Sequence, residues 1–236
     1  MYLNHLYVVL DESTFNNLCS SDFVVNEFAS VDTGLPDFLP PNRRLTVCSS
    51  VVNTPISNST APKKFKAPVG NSGIGMSTEQ QGAIDQMYVR LENEAPSKVQ
   101  SKLVHWNDGN GSSVPWYTVV YRDQPDSTGF TSWVSEYHEY FLPALYPDLG
   151  SEARGIRRED FLAPQFDDEC CLRDIIEITV ALHEPQKSRY IHELELLGCV
   201  SRAEADEVVL EGPNLRMVVT DATTERDGVL EMALLD

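Results

Sequence analysis

Apolar residues fall first into a period of two: Leu6, Val8 and Leu10 share one face and His5, Tyr7 and Val9 the other, which predicts a strand over 3–10. Asp11 ends it. Ser13 or Thr14 can cap a short helix carrying Phe15 and Leu18, and Ser21 a second turn carrying Val24, Val25 and Phe28. Gly34, Pro36, Pro40 and Pro41 make residues 32–42 a loop before a strand over 45–52. Residues 53–73, rich in Pro, Ser, Thr and Asn, read as a long loop that proteases should cut first. Gly73-Ile-Gly-Met76 reads as a short strand entering a helix over 79–92, in which Ile84, Met87, Tyr88 and Leu91 recur at helical spacing. After the Gly109-Asn-Gly111 turn comes a strand over 114–122, and Trp133, Val134, Tyr137 and Phe141 are spaced for a helix that Pro143 stops.

The second half alternates more cleanly. Ile176, Ile178, Val180 and Leu182 face one way while Glu177, Thr179 and Ala181 face the other. Pro185 suits a first helical turn, Tyr190, Ile191, Leu194 and Leu197 form a buried stripe, and Gly198 terminates the helix. Strands over 207–211, 215–220 and 229–235 complete the order βαβββ. The fold class expected is therefore α+β, and at 236 residues the chain has room for two packed halves.

Charge changes the list of partners. With 18 Lys and Arg against 36 Asp and Glu the net charge is −18, so nucleic acid and anionic membranes are repelled. No stretch reaches the roughly 18 apolar residues of a membrane helix, and the start lacks the layout of a secretory signal; a cytoplasmic protein is expected. The five cysteines, Cys19, Cys48, Cys170, Cys171 and Cys199, lack metal-ligand spacing and read as reduced thiols. Phosphate loops, GxSxG elbows and HExxH motifs are absent, and Gly70-Asn-Ser-Gly73-Ile-Gly75 lacks the Lys of a nucleotide loop.

The βαβββ order in 172–236, with a weaker β-α opening at 3–29, resembles the paired modules of the vicinal oxygen chelate superfamily, which includes glyoxalase I, extradiol dioxygenases, methylmalonyl-CoA epimerase and bleomycin-resistance proteins. Leu3-Asn-His5-Leu-Tyr-Val-Val-Leu10-Asp11, Gly73-Ile-Gly75, Trp133-Val-Ser-Glu136-Tyr-His138 and Gly155-Ile-Arg-Arg158 are similar to an uncharacterised glyoxalase-like family within it. The resemblance implies paired curved, mixed sheets around a cleft, with a first module over 1–143 carrying long insertions, an acidic connector over 144–171, and a second module over 172–236. It implies metal ligands on the first and last strands of a module. His5, Glu177 and Glu231 hold those positions, each the polar member of a strand face opposite an apolar one, and Cys48 stands near where a further ligand would be.

An imidazole with two carboxylates suits a divalent Fe, Mn, Ni or Zn ion with positions open to a bidentate substrate. The set departs from the family, because 45–50 contains no Glu and Glu177 stands where His is commoner, so a metal-free cleft stays open as well. Glu177, Glu231 and His138 are the candidate catalytic groups, and Tyr7, Trp106, Trp116, Trp133 and Tyr137 the candidate substrate contacts. The plainer alternatives are a structural His5 held by hydrogen bonds and aromatics that only pack a core. The function expected is a small-molecule lyase, isomerase or cyclase of glyoxalase-like type that stabilises an enolate and moves a proton. A metal-free sequestering protein of the bleomycin-resistance type is the alternative, and an extradiol-type dioxygenase the third. A small-molecule substrate is the partner implied, and a homodimer is left open.

Overall fold

The computed structural model describes residues 1–28, 30–32, 46–48, 68–94, 99–107, 113–123, 129–145, 156, 160, 171–172, 174–224 and 227–235. Most of the predicted long loop and most of the expected connector lie outside them. The N-terminal part runs β1 (Tyr2–Val8), α1 (Glu12–Cys19), a π-turn (Val24–Phe28), β2 (Ser30–Asp32) and β3 (Thr46–Cys48). Next come β4 (Ser72–Ser77), α2 (Ala83–Glu94), β5 (Val99–Asn107), β6 (Ser113–Arg122), β7 (Phe130–Tyr137) and α3 (Phe141–Leu145). The last part is β8 (Asp174–Leu182), α4 (Gln186–Leu196), β9 (Val200–Glu204), β10 (Glu207–Glu211), β11 (Arg216–Asp221) and β12 (Gly228–Leu235). None of the described helices is long and apolar enough to cross a membrane.

The fold is α+β, with two mixed five-stranded sheets ordered β1-β4-β7-β6-β5 and β12-β8-β11-β10-β9. One topology is used twice. In β4-α2-β5-β6-β7 the first and last strands pair in parallel and the others antiparallel, and β8-α4-β9-β10-β11 repeats the pattern. Each unit then takes a fifth strand antiparallel to its first: β1 beside β4, and β12 beside β8.

This arrangement corrects several expectations. The first βαβββ unit opens at β4 and α2, not at the β-α pair of residues 3–29, whose strand only flanks β4. In the second unit the three strands after the helix are β9, β10 and β11; β9 was not anticipated, and β12, expected as the closing strand, is the flanking one. The helix expected from Trp133, Val134, Tyr137 and Phe141 is instead strand β7. A central strand paired on both sides carries large residues on both faces, so its spacing imitates a helix. Strand β5 has no legible alternation because six of its nine side chains, on the sheet's outer edge, are polar or exposed.

Packing explains why the two units stay together. Leu3, Ile74, Met76 and Phe130 of the first sheet share one buried cluster with Ile175, Ile178, Val180 and Leu182 of β8 and Tyr190 and Leu194 of α4. A second cluster joins Ile84 and Leu91 of α2 to Val120, Val134 and Leu197. Fully burying each such aliphatic residue is worth about 1.5–3 kcal/mol. The α2 start is fastened from the sheet: the Glu136 carboxylate accepts from Gly82 N at 2.7 Å and Ile84 N at 2.9 Å, so a strand residue caps the helix.

Polar groups cross the same interface. Gln186 Nε2 donates to the Phe130 carbonyl at 3.1 Å, and Val229 N to Ser72 Oγ at 2.9 Å. Arg122 Nε lies 2.6 Å from Glu193 Oε1, both side chains almost wholly buried. Burial pushes the Glu193 carboxyl above its usual range, against the pull of Arg122 and Arg189. Removing one member of such a pair strands a buried charge, so Glu193→Ala should cost about 3–5 kcal/mol in urea denaturation. Arg122→Met with Glu193→Leu should recover most of that loss, and a Glu193→Ala protein with an unchanged midpoint would show that the pair does not fasten the units.

Candidate functional site

The site is built on β4, whose residues alternate between large and none. Ile74 and Met76 enter the shared core, while Gly73 and Gly75 leave the opposite face bare. Register then sets what covers that bare strip. On one side Tyr7 pairs with Gly73 and His5 with Gly75; on the other Thr131 pairs with Gly73 and Trp133 with Gly75. A Cβ at Gly73 would stand 2.4 Å from Tyr7 Cε1, and one at Gly75 would stand 2.7 Å from Trp133 Cε2 and Nε1. The two rings therefore lie across the strand itself, a close approach that only glycine permits.

This brings residues of β1 and β7 into contact over β4. The His5 and Trp133 ring centroids are 4.7 Å apart with planes at 56°, Tyr7 stacks on Trp133 at 6.0 Å and 24°, and Tyr7 Oη is 2.8 Å from Thr131 Oγ1. Tyr7, Thr131 and Trp133 are half-buried and form a shelf. At its end the register of β1 slips by one residue at Asn4, so that Asn4 and His5 both leave the core side held by Leu3. Asn4 Oδ1 accepts from His5 Nδ1 at 2.7 Å and from Tyr137 Oη at 3.5 Å, and both Asn4 and His5 are buried. Desolvation alone lowers the His5 pKa to about 4, so the ring is neutral at physiological pH.

Beyond the shelf, Tyr137 belongs to a buried aromatic cluster. Tyr117 is opposite Tyr137 on β6, with centroids 6.3 Å apart, and Trp116, Trp106 and Phe141 close the cluster: Trp116 lies 5.2 Å and Trp106 6.1 Å from Phe141. Of the residues expected as substrate contacts, Tyr7 and Trp133 form the half-buried shelf, whereas Tyr137 and Trp116 are buried in the aromatic core cluster, with half-buried Trp106 packed against it.

Of the predicted acid-base and metal groups, His5 stands at the shelf and the others lie elsewhere. Glu177 on β8 is ion-paired with Arg216 on β11, which also has Glu204 and Glu211 at 3.8 Å. Glu231, opposite Thr179 on the edge strand β12, is exposed. His138 Nε2 lies 3.0 Å from Thr118 Oγ1, and Glu136 is used as the α2 cap. Among the described residues no three His, Cys, Asp or Glu are grouped to hold a metal ion, and the Glu177 carboxylate is already spent on Arg216. A divalent ion therefore does not fit the set His5, Glu177 and Glu231 in this fold. What sequence reasoning passed over is Asn4 and the glycine floor; Gly-x-Gly inside a strand was the signal available.

Residues 58–235 match a family described as "Family of unknown function (DUF5829)". β4 to β12 lie inside the matched segment, and the strand bearing Asn4, His5 and Tyr7 precedes it. No curated protein matches the chain. Among solved structures, that of a hypothetical protein from Staphylococcus aureus is similar over 64% of this chain and 52% of its own, at 13% identity and a TM-score of 0.38. The chain spans about half the length of that protein.

Two outcomes follow from this geometry. Gly75→Ala forces Trp133 off the strand and should cost about 1–3 kcal/mol, with loss of near-ultraviolet dichroism from the displaced indole. His5 supplies a pH dependence. The unfolded imidazole takes a proton near pH 6.5 and the folded one only near 4, so between those values the unfolded state binds more protons. Stability should fall as pH drops through that window, by about 3 kcal/mol when complete. Urea melts at pH 7 and pH 4 should show this, and the part due to His5 should vanish in His5→Gln.

Proposed function

We propose that this chain, which belongs to the DUF5829 family of unknown function, binds a small molecule without a metal, on the shelf of Tyr7, Thr131 and Trp133. The observation that carries the reading is the neutral, desolvated His5, held by Asn4 and set against Trp133 over two glycines. Half-exposed aromatic surface ending at buried polar atoms is the composition of a ligand site, with apolar walls for affinity and a few fixed polar groups for orientation.

Of the functions the sequence left open, the sequestering type is best supported. A lyase or isomerase needs a proton-transfer group with a pKa near the working pH. His5 is far below that, and Glu136 and His138 are engaged elsewhere. The repeated βαβββ topology supports the resemblance to the vicinal oxygen chelate superfamily, where bleomycin-resistance proteins bind without chemistry.

A library of small aromatic fragments, followed through the Trp133 indole N–H resonance, tests this. Binders should move that resonance equally in EDTA and in buffer, and should lose affinity in Gly75→Ala. Binding that requires an added divalent ion, or that ignores both Trp133 and Gly75, would overturn the reading.

A further inference from the structure

The polar atoms at the end of the shelf carry unmet hydrogen-bonding capacity of a definite kind. Asn4 is 1% exposed, and its Oδ1 already serves His5 and Tyr137, yet its Nδ2 has no partner. A buried amide donor left unpaired carries its full desolvation penalty, so a group that is orphaned here marks a place for an acceptor. His5 supplies the complement. With Nδ1–H given to Asn4, the ring's other nitrogen, Nε2, bears a lone pair and takes no hydrogen bond from the described residues. The Trp116 Nε1 donor, buried in the aromatic cluster past Tyr137, is also without a partner.

From these groups we infer that the shelf takes a neutral, planar ligand carrying an amide or lactam, whose carbonyl accepts from Asn4 Nδ2 and whose N–H donates to His5 Nε2. The inference rests on the small-molecule reading above and names its ligand class. Trp133 and Tyr7 supply the stacking surface for the planar body. Charged ligands are disfavoured by the same surroundings. Thr131, Tyr7, Trp133 and Tyr137 bring no countercharge, and burial alone, with no charged side chain contributing, depresses the His5 basicity. A carboxylate or an ammonium group would be desolvated there without a partner.

Three probes of one size separate the classes: benzamide, benzoate and benzylammonium, each titrated into the isotope-labelled full chain at pH 7. Benzamide should shift both the Asn4 side-chain amide and the Trp133 indole resonances, and bind at least about tenfold more tightly than either charged probe, the loss expected when a buried charge finds no partner. Asn4→Leu, checked for a cooperative melt, should weaken benzamide about tenfold; where that variant does not fold, the comparison of the three probes on the unaltered protein decides. If benzoate or benzylammonium moves Trp133 as strongly as benzamide, or if folded Asn4→Leu binds benzamide unchanged, the amide assignment is overturned while the shelf remains a ligand site. If none of the three moves Trp133, the amide assignment is overturned and the fragment library alone judges the site.

Discussion

Strand β4 has to serve two surfaces with six residues. One face, Ile74 and Met76, is driven into the core that both units share; the other must accommodate side chains reaching over from β1 and β7. Only a strand without side chains on that second face can do both, because Trp133 and Tyr7 occupy the volume where Cβ atoms at positions 75 and 73 would stand. The positions of His5 and of the Tyr7–Trp133 stack follow from this vacancy. A methyl group there would move the rings, and with them the wall of the shelf.

The same face-sharing binds the molecule into one body. The two sheets share their main core, since Leu3 and Phe130 of the first pack with Ile178 and Leu182 of the second, while the first keeps a further cluster around Trp116, Tyr137 and Phe141. The Arg122–Glu193 pair sits among these apolar contacts. Its attraction is largely offset by desolvation, so it adds geometric definition more than net stability. Arg216, at the solvent side of the second sheet, gathers three carboxylates and absorbs Glu177, the residue that the family resemblance had marked for a metal.

Charge is distributed unevenly with respect to the site. The chain carries −18 overall, yet the shelf is lined by neutral aromatic, amide, hydroxyl and imidazole groups. In the proposed ligand-binding role, selection at the shelf would fall to shape and hydrogen bonding at Asn4 and His5, not to charge.

Local pattern determined a good deal by itself. The alternation of Ile178, Val180 and Leu182, the helical stripe of Tyr190 and Leu194, the strand over 207–211, and the placing of His5 and Tyr7 on one face of the first strand were all legible, because burial on one side imposes a period that neighbouring residues record; Ile176, expected on the same face as Ile178, is instead exposed where the register with β12 shifts. Partnership is not recorded that way. That Phe130–Tyr137 is a strand, that β4 rather than β1 opens the first unit, that Glu177 belongs to Arg216, and that two glycines hold up an indole were decided only by tertiary structure. The physical reason is that a strand buried on both faces loses its alternation, and that hydrogen-bonded register joins residues as far apart as His5, Gly75 and Trp133, whose mutual fit appears in no single stretch of chain.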